Sequence, residues 1–386
     1  RYIKSNIRTV IMDFTFNDEQ SLIQNQVEQF IQRDYDWETR QSFITSDLGF
    51  SADNWKTFAE LGWLGISLSE ESGGFGGTAI DTMIVMEEFG KGLVLEPFLE
   101  TVVMSSGLID MAGSPEQKKD ILSEVVEGRM QLALAYAEPQ SRFNLSDVMT
   151  EAKKEGDNFV LNGFKSVVMN GPNAHQIIVS ARTSGDQRDE KGISLFIVDA
   201  KSSGLSLRDY QTVDNRRASE LTLESVTVPT SSLIGELNQG LEVLESSIDR
   251  SILAISAEAV GAMEVLYKTT VEYTKTREQF GTPIGKFQVL QHRMVDMFME
   301  YEQCKSLLYM ATMKHDESSP DAKKAISGLK YQVGNASKFI GQQAVQLHGG
   351  MGVTDELNVG HYFKRLTTIG TIFGNSDHHL KRYTAI

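Results

Sequence analysis

The stretch Arg277-Glu278-Gln279-Phe280-Gly281-Thr282-Pro283-Ile284-Gly285 closes a long predicted helix and opens a loop. Before it, one apolar stripe recurs at helical spacing over Leu241–Leu266. After it, the same period returns near Phe287–Lys314 and again near Asp321–Leu347. Together with the segment beyond His361, these stretches predict a C-terminal four-helix bundle.

The two preceding parts of the chain have different patterns. From Asn17 to about Val126, apolar residues recur at helix spacing. Near Gln131 the pattern changes to short β-branched runs separated by turn residues. These runs are Phe159-Val160-Leu161, Ile177-Ile178-Val179, Ile193–Val198 and Val226-Thr227-Val228. The predicted fold class is α+β, with an N-terminal helical domain (residues 12–130), a central antiparallel β domain (131–238) and a C-terminal helical bundle (239–386).

The composition limits the possible classes of function. The chain has 386 residues, enough for two or three domains, and a net charge of −15. No basic stretch offsets this charge, which argues against a nucleic-acid partner. No run approaches the roughly 18 apolar residues of a membrane span. Because Cys304 is the single cysteine, a disulfide framework is excluded and a reducing cytoplasm is the expected location.

Two short patterns are not taken as functional signals. The basic stretch Arg1–Ile11 lacks the apolar core of a secretory signal, and Met12-Asp13-Phe14 is the predicted native start. The glycine-rich stretch Gly74-Phe75-Gly76-Gly77-Thr78-Ala79 formally matches a dinucleotide-binding fingerprint. A true fingerprint follows a strand, whereas helical patterns flank this one, so an interhelical turn is predicted.

Three stretches together resemble the acyl-CoA dehydrogenase family: Arg277–Gly285, Gln346-Leu347-His348-Gly349-Gly350-Met351-Gly352 and Gly370–His378. The resemblance extends along the chain from Met12 and implies a helical domain, a β domain and a four-helix bundle. It also implies an FAD cofactor, an acyl-CoA substrate, and a dimer or tetramer, either homomeric or with a second acyl-CoA dehydrogenase subunit. The implied reaction is α,β-dehydrogenation of an acyl-CoA thioester, in which a carboxylate removes the α-proton and the flavin receives the β-hydride.

The carboxylate that the family uses as its base is missing from its usual place. In relatives the last stretch reads roughly Tyr-Glu-Gly-Thr, whereas here the same frame gives Phe373-Gly374-Asn375-Ser376. Glycine cannot accept a proton. Some relatives carry the base on the long helix instead, at the position that corresponds to Ser251. The catalytic candidates near that position are Asp249 and Glu258.

The resemblance also implies which residues contact FAD. By itself, Arg277 would be a solvated charge at a helix end and Gly349 a helix cap. In the family, this guanidinium binds the FAD pyrophosphate, for which its planar fork of donors is suited. The other implied FAD contacts are Phe280, Gln288, Gln346, Leu347, Gly349, Gly350, Ala137, Met169, Asn375 and Ser376. His348 is predicted to pack, His378-His379 to lie at the surface, and no metal site is expected.

The segments that face the flavin ring in relatives are altered here. The family stretch Thr-Glu-Pro-Gly-Ala-Gly-Ser-Asp is replaced by Ala137-Glu138-Pro139-Gln140-Ser141-Arg142-Phe143-Asn144, and Trp-Ile-Thr-Asn-Gly by Val167-Val168-Met169-Asn170-Gly171. Hydroxyl donors and a shielding tryptophan are thereby lost. In the family, the residues kept in this chain are those that reach the FAD of a neighbouring subunit: Arg277, Phe280, Gln288, Gln346, Gly349 and Gly350.

Three interpretations remain open. The first is the small subunit of a heteromeric dehydrogenase, which completes its partner's FAD site and has no base of its own. Three segments resemble the small subunit of bacterial pimeloyl-CoA dehydrogenase: Glu258–Glu264, Gln342–Gln346 and His361–Leu366. The second is a homomeric flavoenzyme with a displaced base such as Asp249 or Glu258. The third is a non-catalytic paralogue that binds acyl-CoA or has a purely structural role.

Overall fold

The structure is a computed structural model that describes residues 15–386. The predicted start at Met12 lies outside the described residues. Helices, a β-sheet and a second set of helices follow one another along the chain. Within residues 15–386, no helix combines the length and the apolar character that a membrane crossing requires.

The N-terminal part is helical, as its apolar period predicts. Its helices are α1 (Asp18–Asp34), α2 (Trp37–Ile44), α3 (Ala52–Glu60), α4 (Ala79–Gly92), α5 (Gly107–Ala112), α6 (Pro115–Gln117) and α7 (Ser123–Val126), with π-helical segments at Leu99–Ser106 and Lys118–Leu122. Asn17 caps α1 by accepting a hydrogen bond from the Gln20 backbone N–H at 2.8 Å. The glycine-rich stretch is a turn that ends at Thr78, the N-cap of α4, so the expectation of an interhelical turn is confirmed.

The central part is an eight-stranded sheet. Its strands are β1 (Leu132–Ala135), β2 (Glu151–Glu155), β3 (Asn158–Met169), β4 (Gln176–Arg182), β5 (Ile193–Asp199), β6 (Leu205–Gln211), β7 (Arg217–Pro229) and β8 (Leu233–Ile234). The order is β6-β7-β3-β2-β4-β5-β8, with β1 paired to β4. Most neighbouring strands pair in the predicted antiparallel sense, but β1 and β2 both pair with β4 in parallel. Those contacts join distant segments, so no hairpin turn signals them in the sequence.

The C-terminal part contains the predicted long helices. It consists of α8 (Gly240–Thr276), the hairpin strands β9 (Glu278–Gln279) and β10 (Thr282–Pro283), and then α9 (Gln288–Asp316), α10 (Ala322–His348), α11 (Val359–Ile369) and α12 (Ser376–Ala385). The stretch after α8 is therefore a tight hairpin rather than an open loop, with Phe280 and Gly281 at its tip, both at positive φ.

Two glycines fix the crossing of α4 and α8. A Cβ added at Gly90 would overlap the carbonyl oxygen of Glu258, and one added at Gly261 would overlap the carbonyl oxygen of Glu87. Each helix therefore lies directly on the backbone of the other, which only glycine permits at these positions. α8 also packs against α9, α10 and α11, so this crossing connects the N-terminal helices to the whole C-terminal bundle.

A buried ion cluster joins all three parts of the chain. Arg365 on α11 donates to both carboxylate oxygens of Glu258 on α8, at 2.7 and 2.6 Å, and to Asp214 before β7 at 2.8 Å. Arg216 donates to Glu258 at 3.0 Å and to the carbonyl of Val94, beyond α4, at 2.8 Å. Every charged member is at most 9% exposed. The cluster therefore holds the sheet against helices from both ends of the chain.

Glu258 is removed from the base candidates by this arrangement. Burial by itself would raise the pKa of its carboxyl, but Arg365 and Arg216 hold the pKa below its ordinary value. A general base must reach a substrate proton and release it again. Glu258 instead has both oxygens committed to guanidinium groups, so its role is structural.

We expect Glu258→Gln to lower the free energy of unfolding by roughly 3–5 kcal/mol, because it leaves Arg365 and Arg216 buried without their main counter-charge. The midpoints of urea and thermal unfolding measure this. The matched control is Glu272→Gln, which removes an exposed pair with Lys275 and should cost less than about 1 kcal/mol. Equal losses in the two variants would contradict the structural role of the cluster.

Candidate functional site

A central cavity of about 350 Å³ lies where the sheet meets the helices. One wall comes from the segment after β1, with Tyr136 and Ala137, and from the end of β3, with Val167 and Met169. A second wall is Thr371–Phe373, between α11 and α12, and a third is the π-helical segment, with Glu100 and Met104. The cavity volume falls within the range of small-molecule sites. Two predicted cofactor residues, Ala137 and Met169, therefore line one cavity.

A buried ion pair positions the β-domain wall. The Lys165 ammonium contacts Glu138 at 2.7 Å, and the other Glu138 oxygen accepts from the Met149 backbone N–H at 2.8 Å. Burial lowers the pKa of Lys165 to about 8, even though Glu138 opposes this shift. Next to the pair, the Ser166 backbone N–H donates to the carbonyl of Ala137 at 2.9 Å. The two altered segments are thus held side by side.

Val167 has an unusual backbone in this wall. Its φ is +54°, and it is 53% exposed beside a register shift between β3 and β7. A β-branched residue is strained in the left-handed region. The position therefore presents an exposed apolar side chain in the lining of the cavity.

Histidine rings occupy the space around Gly374, the residue that the family resemblance aligns with the catalytic base. Its φ is +116°, and an added Cβ would lie 2.6 Å from Cδ2 of His378 and 2.7 Å from Nε2 of His379. Contacts under 3.0 Å force a neighbour to move. Any side chain introduced at position 374 therefore requires His378 or His379 to move.

The prediction that His378-His379 lies at the surface was wrong. His379 is fully buried, and its Nε2–H donates to the carbonyl of Phe373 at 3.0 Å. Burial lowers its pKa to about 3, so the ring is neutral. His378 is half-buried and lies 5.3 Å from the Phe143 ring, centroid to centroid. The pattern of two adjacent histidines in the sequence could not predict their burial, because the burial depends on the fold of the preceding turn.

Lys330 stabilises the turn that contains Gly374. Its ammonium is fully buried and donates to the carbonyls of Ile369 and Gly374, at 2.7 and 3.1 Å. Burial lowers its pKa to about 7. The turn is further fixed by Asn375, whose side chain caps α12 by accepting from the His378 backbone N–H at 2.9 Å. The turn around Gly374 is thus held by hydrogen bonds from Lys330 and to Asn375.

An outer cleft of about 650 Å³ adjoins the central cavity across Tyr136, Phe143 and Phe373, which line both. Asp249 lies in this cleft and forms a bidentate pair with Arg382, at 2.7 and 2.8 Å. Asp249 differs from Glu258 because it lines an open cleft and its single counter-ion, Arg382, is 23% exposed, so it stays a base candidate. The alternative position, Ser251, is buried, and its hydroxyl donates to the Ser247 carbonyl at 2.7 Å.

The remaining predicted cofactor residues lie elsewhere, on what we call the hairpin face: Arg277, Phe280, Gln288, Gln346, Gly349 and Gly350. All six are exposed, and none lines the central cavity. Phe280 is 93% exposed and held at φ +57°. Its one ring contact among residues 15–386 is an edge-to-face contact with Phe287, at 6.2 Å between centroids. A large, mostly exposed aromatic side chain in a left-handed conformation is a strained and unusual feature.

The hairpin face fits a phosphate-bearing cofactor. Gly349 ends α10 at φ +60°, which confirms the predicted helix cap, and a Cβ added at Gly349 or Gly350 would meet nothing within 4 Å. Backbone there is open to close approach, with the exposed Arg277 guanidinium available for an anion. Apolar residues of α9 continue the face: Val289, Val295, Phe298 and Met299 are each at least 44% exposed.

Three other predicted residues have structural roles in the chain. Leu347 is buried in the helical core, and Ser376 donates to the Tyr331 carbonyl at 3.3 Å. His348 is buried, stacks on Tyr273 at 4.2 Å between ring centroids and bonds the Ala344 carbonyl at 2.8 Å, in agreement with the packing prediction. Among residues 15–386, no group of three or more His, Cys, Asp or Glu side chains could hold a metal ion.

Glu100 lines the central cavity and was missed from the sequence. It is 5% exposed, and its Oε2 has no hydrogen-bond partner within the described part of the chain. The available signal was a single acid within the apolar run Leu99-Glu100-Thr101-Val102-Val103-Met104. Burying a charge in such an apolar run costs free energy unless a partner offsets it.

Comparison with known proteins gives a consistent picture. Residues 17–129, 133–226 and 238–384 match the models for the N-terminal, middle and C-terminal domains of acyl-CoA dehydrogenases. The chain is 30% identical over 359 residues to the short-chain-specific acyl-CoA dehydrogenase of Clostridium acetobutylicum, which covers 90% of this chain and 92% of that relative.

Two solved structures are similar over almost the whole chain. PigA with FAD and proline has a TM-score of 0.90 and 28% identity, over 97% of this chain and 98% of that one. A variant of the Tcur3481-Tcur3483 steroid ACAD has a TM-score of 0.85 and 27% identity, over 95% and 97%.

We expect Gly374→Ala to destabilise the protein by about 1–3 kcal/mol, because the new Cβ must displace His378 and His379. Thermal and urea unfolding measure the loss. Gly156→Ala is the control, since Gly156 also has positive φ but open space around it. A loss no greater than that of the control would mean that the histidines do not fill the base position.

Proposed function

Because this chain belongs to the acyl-CoA dehydrogenase family, we propose that it is a subunit of an FAD-dependent acyl-CoA dehydrogenase assembly. In this proposal it completes the FAD site of a second, different dehydrogenase subunit. Its own cavity binds an acyl-CoA thioester and lacks the base. We also propose that the chain is most similar in role to the small subunit of a pimeloyl-CoA dehydrogenase and that it is located in the cytoplasm.

The observation that carries the proposal is the space around Gly374. A lost carboxylate could be a single substitution in an otherwise competent site. Here His378 and His379 occupy the volume next to the glycine, at 2.6 and 2.7 Å from an added Cβ, and Lys330 holds the turn by its carbonyls. The surrounding residues are adapted to the absence of a side chain at this position.

The hairpin face supports the donating role. Its six residues are of the types that the family directs at a neighbour's cofactor, and all are exposed in the single chain. FAD, when bound, would accept the hydride from the substrate β-carbon. The task of this chain would be to bind and orient: Arg277 holds the pyrophosphate, Gly349 and Gly350 admit close backbone approach, and Phe280 packs against the partner.

The cavity and the cleft support acyl-CoA binding. The outer cleft has Arg142 and Lys381 among its lining residues, which can pair with phosphate groups of the CoA moiety. It opens past Phe143 and Phe373 towards the central cavity, whose walls are largely apolar. The acyl chain would enter this cavity while the polar part of the ligand stays in the cleft.

A specific observation favours a second candidate function. Asp249 lies in the outer cleft and is nearly buried beside Arg382. A homomeric enzyme could use it as a displaced base if the ion pair opened on substrate binding. PigA is similar to this chain over nearly its whole length and contains FAD, which is compatible with such an enzyme. The Tcur3481-Tcur3483 similarity supports an assembly of two different chains instead.

The deciding experiment purifies the chain alone and after co-expression with an acyl-CoA dehydrogenase subunit that has a glutamate at the family base position. Flavin is counted per chain, and anaerobic bleaching is followed with a panel of acyl-CoAs. We expect bleaching from the complex and none from the single chain. One FAD per chain with bleaching by the single chain would contradict the two-subunit proposal, and no FAD in either preparation would contradict a flavin role.

We expect Arg277→Ala to weaken FAD retention by the assembly about 10- to 100-fold, because a charge-assisted contact with the pyrophosphate is lost. Flavin occupancy after dialysis measures the effect. Lys275→Ala is the control, since it removes the same charge from the same end of α8. If both variants retain FAD equally well, Arg277 is not a cofactor ligand.

For the homomeric alternative, Asp249→Asn should slow flavin reduction by acyl-CoA by at least ~10²-fold, the scale of a lost general base. Stopped-flow bleaching of the single chain measures it. Glu245→Gln, also in the cleft, is the control. An active homomer whose rate is unaffected by Asp249→Asn would eliminate this carboxylate as the base.

A further inference from the structure

The π-helical segment Leu99–Ser106 places a carboxylate in the wall of the central cavity. Glu100 is 5% exposed, with Leu99 and Met104 of the same segment as apolar neighbours in the lining. The Ser105 hydroxyl donates to the Glu100 carbonyl at 2.8 Å, which stabilises the wide turn. π-Helical turns occur frequently at functional sites.

The Glu100 carboxylate is not neutralised by the protein. Its Oε2 has no hydrogen-bond partner among residues 15–386, and no ion pair of Glu100 is found there. Two arginines share a small pocket with it, but neither donates a hydrogen bond to its carboxylate. The Nε of Arg217 is itself buried without a partner among residues 15–386. Arg216 is bonded to Glu258 and the Val94 carbonyl, and Arg217 donates to the Ser46 carbonyl at 3.0 Å.

Other buried acids of the chain differ from Glu100 in this respect. Glu96 accepts from the Tyr35 hydroxyl at 2.9 Å and from the Asn54 amide at 3.1 Å. Glu138 has Lys165, and Glu258 has two arginines. An unpartnered buried carboxylate is costly, and such groups in native proteins call for an explanation. A ligand that enters the cavity with a hydrogen-bond donor would supply the missing partner.

We propose that Glu100 is a specificity-determining residue that selects acyl groups bearing a hydrogen-bond donor, above all a cationic amine. An acyl group that ends in a carboxylate is repelled by the same side chain, because two like charges would meet in a poorly solvated cavity. The inference rests on the proposed binding of acyl-CoA in this chain's own cavity and does not require turnover there. It argues against a dicarboxylic substrate at this site.

The test is isothermal titration of the FAD-loaded assembly with hexanoyl-CoA, 6-aminohexanoyl-CoA and adipyl-CoA, together with the four-carbon set butyryl-, 4-aminobutyryl- and succinyl-CoA. The two lengths guard against a mismatch between chain and cavity. We expect the amino compound of at least one set to bind roughly 10- to 100-fold more tightly than its alkyl counterpart, the scale of a charge-assisted hydrogen bond. The carboxylate compound should bind weakest.

Two variants assign the effect to this chain rather than to a partner's site. Glu100→Gln keeps the side-chain volume and should remove most of the preference for the amine. Glu100→Leu should leave the alkyl compound as the tightest ligand. Glu155→Gln neutralises an exposed acid of β2 that lines neither the central cavity nor the outer cleft, and it should leave the order unchanged. If Glu100→Leu does not fold, the glutamine variant carries the comparison.

The outcomes distinguish a failure of the inference about Glu100 from a failure of the proposed acyl-CoA binding. Equal affinity for amine and alkyl compounds, tightest binding of a carboxylate compound, or an amine preference that survives Glu100→Gln would each overturn the role of Glu100 while leaving acyl-CoA binding intact. Failure of every acyl-CoA to bind at this chain's site, in an assembly that retains FAD, would overturn the proposed acyl-CoA binding and the inference with it.

Discussion

The buried cluster of Glu258, Arg365, Asp214 and Arg216 is the interaction on which the rest of the architecture depends. It is the point at which α8, α11, the β-sheet and the segment after α4 meet. Removing such charges from water is costly, and the cost is recovered only when every donor and acceptor is matched. The geometry of the central cavity follows from this matching, because the walls of the cavity belong to the elements that the cluster joins.

The chain has two functional regions of opposite character. Around Gly374 the side chains are packed and hydrogen-bonded among themselves, with His379 and Lys330 both buried. On the hairpin face, Arg277, Phe280, Gly349 and Gly350 are exposed, and the Phe280 ring contacts only the edge of Phe287 within the described part of the chain. The exposed and strained Phe280 adds no stability to the single chain. Such a conformation is expected of a residue that contacts another molecule. The contrast between a closed turn and an open face is the physical argument behind the proposal of a subunit that contributes to a neighbour's site.

The sequence predicted features that depend on local periodicity and on short motifs. The helical stripe of Leu241–Leu266 lies within α8, and the β-branched runs lie in β3, β4, β5 and β7. Features that depend on distant partners were not predictable. Glu258 pairs with Arg365, 107 residues away, and the parallel pairing of β1 with β4 crosses two intervening strands. The burial of His379 and the isolation of Glu100 likewise follow from packing that no local pattern encodes.

The glycine crossing of α4 and α8 has a mechanical consequence. Backbones in direct contact at Gly90 and Gly261 leave no room for one helix to slide along the other. α8 is thereby fixed in position relative to α4. Its early turns carry Asp249 into the outer cleft, and its end presents Arg277, 28 residues later, which corresponds to about 42 Å of helix. The distance between the outer cleft and the hairpin face is therefore set by the length of α8.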